Sequence, residues 1–161
     1  MFQVLENPDK LDRGVIEYPA PVLYPDWREV PWDKERWPNF SPCEPNIACP
    51  LTGEFYLDEF AFDCLQRART AVGVKFTINS GHRSPIHNAI VGGKPLSQHK
   101  KIAFDISILN HEDPVKVYQA CRDAGFTGFG FYTTFIHVDT GRPRQWFSKQ
   151  GKKKWNLLGV S

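Results

Sequence analysis

The stretch Gly128-Phe129-Gly130-Phe131-Tyr132-Thr133-Thr134-Phe135-Ile136-His137-Val138-Asp139 contains two runs of strand character, Gly128 to Tyr132 and Phe135 to Asp139, joined only by Thr133 and Thr134. Parallel neighbours need a crossover of about a dozen residues or more, whereas an antiparallel pair can be closed by a tight turn. The two runs are therefore expected to form a hairpin. Upstream, Asp113-Pro114 opens a helix with Val117, Ala120 and Cys121 inward and Gly125 as its stop. Ile102 to Ile108 (IAFDISI) and Lys75 to Asn79 (KFTIN) read as strands. Ser84-Pro85 is a cap followed by proline at the first helical position, and this helix runs through Ile90 to Gly92-Gly93. Asp58 caps a longer helix to Val72, with Phe60, Cys64, Leu65 and Ala68 on one face and Gly73 at its end. Mixed helices and strands with one tight hairpin indicate an α+β fold: a mainly antiparallel sheet with packed helices.

The first 50 residues read differently. They hold nine of the 13 prolines, at positions 8, 19, 21, 25, 31, 38, 42, 45 and 50. Proline fixes φ and removes a donor, which disfavours a long helix or a central strand. The same segment carries Trp27, Trp32, Trp37 and Phe40, and a disordered tail would be poor in aromatics. Residues 1–50 are therefore expected to be an extended Pro/Trp-rich N-terminal arm packed on a domain spanning 51–161. The tryptophans are assigned to packing ahead of the alternative, stacking on sugars.

With 161 residues, 41% hydrophobic and 24% charged, the chain suits one globular core. No apolar run approaches the roughly 20 residues of a membrane span, so no membrane insertion is expected. A net charge of +2 gives no argument for nucleic acid. Lys152, Lys153 and Lys154 read as a solvated tail, with attraction to an anionic polymer as the sharper alternative. The N-terminus shows no signal peptide, so synthesis in the cytoplasm is expected, and any target outside requires separate delivery. Cys64 and Cys121 fall within amphipathic helices as small buried hydrophobes. Cys43 and Cys49 flank a short loop and are taken as reduced, although an oxidising compartment would let them bridge.

The residues with chemistry are Ser97-Gln98-His99, Asp105 in the next strand, and His137-Val138-Asp139 in the last one. A catalytic zinc site uses three protein ligands and leaves a position for water, and imidazole and carboxylate are suitable donors. Strand residues two apart share a face, so His137 and Asp139 should point the same way. Spacing alone leaves a metal site and a set of structural histidines equally open.

The run INSGHRSPIHNAIVGGKPLSQHKKIAFDIS, from Ile78 to Ser107, followed by GFGFY and FIHVDTGRPRQW, resembles the zinc D-Ala-D-Ala carboxypeptidase family, the M15 peptidases of peptidoglycan, which share a fold with the hedgehog signalling domain. The similarity covers about residues 38–147 and several motifs in order. The resemblance implies a hedgehog/DD-peptidase-like fold, with 51–161 as the catalytic domain and Zn2+ as cofactor. It implies His99, Asp105 and His137 as metal ligands. It also implies that Arg83, in the S-G-x-R-S motif, contacts substrate and the developing oxyanion. His82 and Ser97 are expected beside Arg83 at the substrate, with a surface histidine as the alternative for His82 and with Ser97 also ordering its loop through hydrogen bonds.

Two features depart from the family pattern. Five residues, not six, separate His99 from Asp105, and Thr134 stands where many members place an acidic general base three residues before the last histidine. Asp139 is then the candidate base, with a role orienting a ligand equally open. Arg142 and Arg144 either pair with Asp139 or are solvated. The expected activity is hydrolysis of a peptide bond in peptidoglycan stem peptides or crosslinks, as carboxypeptidase or endopeptidase, by a monomer. A phage lysis enzyme acting on the wall after release fits this reading, and so does a cellular carboxypeptidase. The alternative is a catalytically inactive, zinc-stabilised binding module of the same fold.

Overall fold

The structure is a computed structural model that describes residues 3–4 and 17–161. Three strands, β1 (Gln3–Val4), β2 (Val22–Tyr24) and β3 (Phe55–Leu57), form a small antiparallel sheet in sequence order. The main sheet has five strands: β4 (Ile78–Ser80), β5 (Ala103–Ser107), β6 (Gly128–Phe131), β7 (Phe135–Asp139) and β8 (Arg144–Phe147). Their order is β4-β5-β7-β6-β8, with every pair antiparallel except β6 and β8. Among the described residues four helices complete the α+β fold: α1 (Glu59–Val72), α2 (Pro85–Ile90), α3 (Pro114–Ala124) and α4 (Lys149–Leu157). None of the described helices is long and apolar enough to cross a membrane.

The caps form from local chemistry. Asp58 accepts from the amides of Phe60 and Ala61 at the start of α1, and Gly73 ends it with φ of 74°. Ser84 accepts from His87 N, and Asp113 from Lys116 N, each ahead of a proline at the first helical position.

Strand alternation divides the main sheet into two faces. One face carries Phe104 and Ile106 of β5, Phe129 and Phe131 of β6, and Ile136 and Val138 of β7, all buried. They meet α1 and α3, which also pack on each other: Phe62 lies edge-on to Phe104, and Tyr118 edge-on to Phe129 and Phe131. Cys64 and Cys121 are buried in this layer and unpaired, and burial pushes the Cys64 thiol up to about 12. Cys43 and Cys49 are unpaired as well.

The segment before β3 joins the same core. Trp37 is buried and Trp32 half-buried in a ring cluster with Phe55 and Phe62. Their indole N–H groups donate to Asp63 Oδ1 and to the carbonyl of Phe40. Trp27 is half-buried.

Two differences from the sequence reading concern extent. The strand expected at Lys75–Asn79 forms only at Ile78–Ser80, where a register irregularity against β5 interrupts pairing. The lysine run expected to be a solvated tail is part of α4. Ser148 caps that helix, Trp155 is fully buried and donates to the Tyr132 carbonyl, and Lys154 Nζ donates to the Thr133 carbonyl. Lys152 and Lys153 remain exposed.

Phe62 touches the rings of Trp32, Trp37, Phe55 and Phe104. Phe62→Ala is expected to lower unfolding free energy by about 3–5 kcal/mol, as measured by chemical denaturation. A loss below about 1 kcal/mol would show that the N-terminal aromatics do not share the core.

Candidate metal centre

The face of the sheet opposite the core carries the polar residues. β5 and β7 pair so that Asp105 lies opposite His137 and Ala103 opposite Asp139. On β6, Gly130 lies opposite His137 and Gly128 opposite Asp139. On β8, Trp146 lies beside Gly130 and Arg144 beside Gly128. The Gly-Phe-Gly-Phe run of β6 thereby turns rings toward the core and bare Cα atoms toward the site. A Cβ on Gly130 would come within 2.5 Å of the Trp146 indole, and one on Gly128 would collide with Arg144 and Asp139.

His99 reaches the same place from a loop. Residues Gln98–Lys100 form one 3-10 turn capped by Ser97, whose Oγ accepts from His99 N. Behind it, the S-G-H-R segment nests against the chain at Asn46 and Ile47. Gly81 N donates to Asn46 O, and a Cβ at Gly81 would stand 2.6 Å from the Ile47 carbonyl oxygen. Arg83 N then donates to His99 O at 2.6 Å. The five-residue connection from His99 to Asp105 is long enough to bring the two side chains to 3.2 Å.

Three atoms converge on one point. His99 Nε2 lies 3.2 Å from Asp105 Oδ1 and 3.2 Å from His137 Nδ1, and His137 Nδ1 lies 3.0 Å from Asp105 Oδ1. All three residues are buried. The outer hydrogen bonds fix the tautomers. His99 Nδ1 is 2.7 Å from the Gly81 carbonyl and His137 Nε2 is 2.6 Å from Asp139 Oδ2. Both partners only accept, so each outer nitrogen carries a proton, and in its neutral form each ring presents the inner nitrogen as a lone pair. With both rings neutral, two imidazole lone pairs and a carboxylate oxygen face one another, a donor set able to hold a cation between them. Bonds of about 2.0–2.2 Å at tetrahedral angles place ligand atoms roughly 3.3–3.5 Å apart, close to the observed triangle. The donor set of two nitrogens and one oxygen suits a zinc-type ion with a position left open.

Asp139 sits on the far side of the His137 ring from this point. Its Oδ2 accepts from His137 and from Arg144 Nη2 at 2.8 Å; its Oδ1 accepts from Arg144 Nη1 and Gly141 N, both at 2.9 Å. Burial would raise this carboxyl, but the hydrogen bonds from His137 and Arg144 outweigh it and hold the group well below the usual carboxylate range. Burial would also raise Asp105, and protons on the His137 and His99 nitrogens that face it outweigh that and hold it below the usual carboxylate range. At His137 burial lowers the imidazole, and the bonds to Asp105 and Asp139 reverse that, leaving it raised.

The triangle lies in the wall of a cleft of about 500 Å³ that Arg83, Ser97, Tyr132 and Trp146 also line. Arg83 is anchored by Asn88 Oδ1 at 3.0 Å. Among the described residues its Nη2 has no hydrogen-bond partner. His82 is elsewhere. The expectation that it meets substrate gives way to a buried ring stacked on Tyr56, with Nδ1 donating to the Lys101 carbonyl at 2.6 Å and Nε2 near Glu54. Thr134 is exposed at the hairpin tip. Of the two alternatives for Arg144, the structure shows pairing with Asp139, and no local motif marks Tyr132 or Trp146. The glycine alternation of β6 is the signal that an indole had to fit there.

Residues 51–139 match the family described as Peptidase M15. No curated protein matches the chain.

Asp139→Asn removes the charge that faces Arg144 and replaces one of the two accepting oxygens with a donating NH2, so the bonds to His137, Arg144 and Gly141 cannot all be kept. Metal affinity is expected to fall about 10–100-fold. Because the folded carboxyl titrates below its unfolded value, its stabilising contribution is in place above about pH 4 and is lost as pH falls further. The metal-free variant should therefore show a shallower loss of stability on acidification than metal-free wild type. Unchanged metal affinity together with an unchanged acid limb would refute the assignment.

Proposed function

The chain belongs to the Peptidase M15 family, and we propose that it is a zinc-dependent peptidase cleaving peptide bonds in bacterial peptidoglycan stem peptides or crosslinks. The observation that carries this reading is the convergence of three lone pairs, from His99, Asp105 and His137, in the wall of an open cleft. These residues would hold the ion. When bound, zinc supplies Lewis acidity, lowering the pKa of water to about 7 and polarising a carbonyl.

The chain's own residues do the rest. Asp139 fixes the His137 tautomer so that Nδ1 faces the centre. This role displaces the general-base assignment, because both of its oxygens are already committed to His137, Arg144 and Gly141. Ser97 orders the turn that presents His99. Arg83, anchored through Asn88, turns its remaining N–H groups to a substrate carbonyl and the negative charge that develops on it. Arg83, Lys94 and Arg142 make the cleft wall cationic, which suits stem peptides rich in carboxylates. Such a substrate puts the site of action in the periplasm or the extracellular wall, with the protein working as a monomer.

One observation favours a second reading, an inactive zinc-stabilised binding module. Among the described residues, Asp105 is the sole carboxylate lining the cleft, and Thr134 occupies the family's acidic position.

Purified peptidoglycan incubated with zinc-loaded protein is expected to release peptides identifiable by mass spectrometry. Chelation should abolish release and added zinc restore it. Peptidoglycan binding with no new peptide ends would select the module instead.

A further inference from the structure

Tyr132 follows β6 and closes the hairpin by donating its amide to the Phe135 carbonyl at 3.1 Å. It lies two residues beyond Gly130, which is opposite His137, so its side chain emerges on the metal-binding face. Its ring is stacked on Phe135, with centroids 4.3 Å apart and planes at 12°. Its hydroxyl is fixed from the other side: Trp146 Nε1 donates to Tyr132 Oη at 3.0 Å. Trp146 is itself immobilised between the bare Cα of Gly130, the His137 ring at 5.0 Å and the Arg144 guanidinium at 5.0 Å. Both rings line the cleft beside His99, Asp105 and His137.

An indole N–H only donates, so the phenol oxygen acts as acceptor in this bond and its own proton is directed elsewhere. Among the described residues that proton has no acceptor. We infer that Tyr132 is a catalytic hydrogen-bond donor, whose O–H, aimed by Trp146, engages the scissile carbonyl oxygen and strengthens its bond as negative charge develops there. The proton stays on the phenol and no covalent bond to Tyr132 forms. Arg83 and Tyr132 then approach the reacting carbonyl from different walls of the cleft, and Trp146 is the positioning residue for the phenol. The inference rests on the peptidase reading.

Tyr132→Phe keeps the ring and its stacking and removes only the hydroxyl. Removing one such donor costs about 10²–10³ in kcat; a drop of at least 10-fold is expected here, with KM within about twofold, and with zinc stoichiometry and thermal unfolding unchanged. Affinity for a phosphinate peptide, which mimics the tetrahedral charge, should fall by at least 10-fold, while affinity for an uncleaved product peptide holds. Trp146→Phe, which loses the aiming N–H, should lower kcat and phosphinate affinity by a smaller factor. A Tyr132→Phe enzyme with wild-type kcat and phosphinate affinity would overturn the inference. If that variant does not fold, wild-type values for both in Trp146→Phe overturn it instead. Wild-type protein that binds zinc but cleaves no peptide would sink the peptidase reading itself, and with it this role for Tyr132.

Discussion

The register that sets Asp105 opposite His137 governs both halves of the molecule. Side chains alternate along a strand, so this single pairing sends Asp105, His137 and Asp139 to one face and Phe104, Ile106, Ile136 and Val138 to the other. A slip of one residue would exchange the sets, driving the ligands into the aromatic core and the core residues into the cleft. The burial of the core face against α1 and α3 therefore keeps the ligands in place. Residues that never touch the centre contribute to its geometry in this way.

Around that register the site is built in layers of fixed hydrogen bonds. The Gly81 carbonyl and the Asp139 carboxylate each accept the outer N–H of one histidine, which turns the inner nitrogens toward Asp105. Arg144 holds Asp139, and Gly128 leaves room for that pair; Gly130 leaves room for Trp146. With both rings neutral, the two imidazole nitrogens and the Asp105 oxygen form a preset donor triangle that a divalent ion can occupy. Asp139 belongs to this supporting layer, where a carboxylate serves orientation better than proton transfer because its own affinity for a proton is depressed.

Much of this arrangement was legible in the sequence because its signals are local. Asp58, Ser84 and Asp113 announce helix starts through side chains that reach amides two or three residues on, and Gly73 and Gly125 announce stops. The two-residue joint at Thr133-Thr134 left the hairpin no alternative. His99, Asp105 and His137 were reached through motif resemblance and alternation together. What was not legible depends on distant partners. Strand β8, with Arg144 and Gln145, has little intrinsic strand pattern and forms by parallel addition to β6. Helix α4 has three consecutive lysines and is held by Trp155 in the core and by Gly151 against the Phe131 carbonyl. The adjacency of His82 and Arg83 carries no information about their directions: the chain turns Arg83 to the cleft and His82 inward to Lys101 and Glu54.

The central claim is that the lone pairs of His99, Asp105 and His137 enclose a single zinc ion. Zinc-edge X-ray absorption on protein loaded with one equivalent tests it most directly. The account predicts a four-coordinate, all nitrogen and oxygen shell at about 2.0–2.2 Å, with the outer-shell scattering of two imidazoles that His137→Ala reduces to one. A six-coordinate shell of oxygens, sulfur scattering at about 2.3 Å, or a spectrum indifferent to His137→Ala would contradict it.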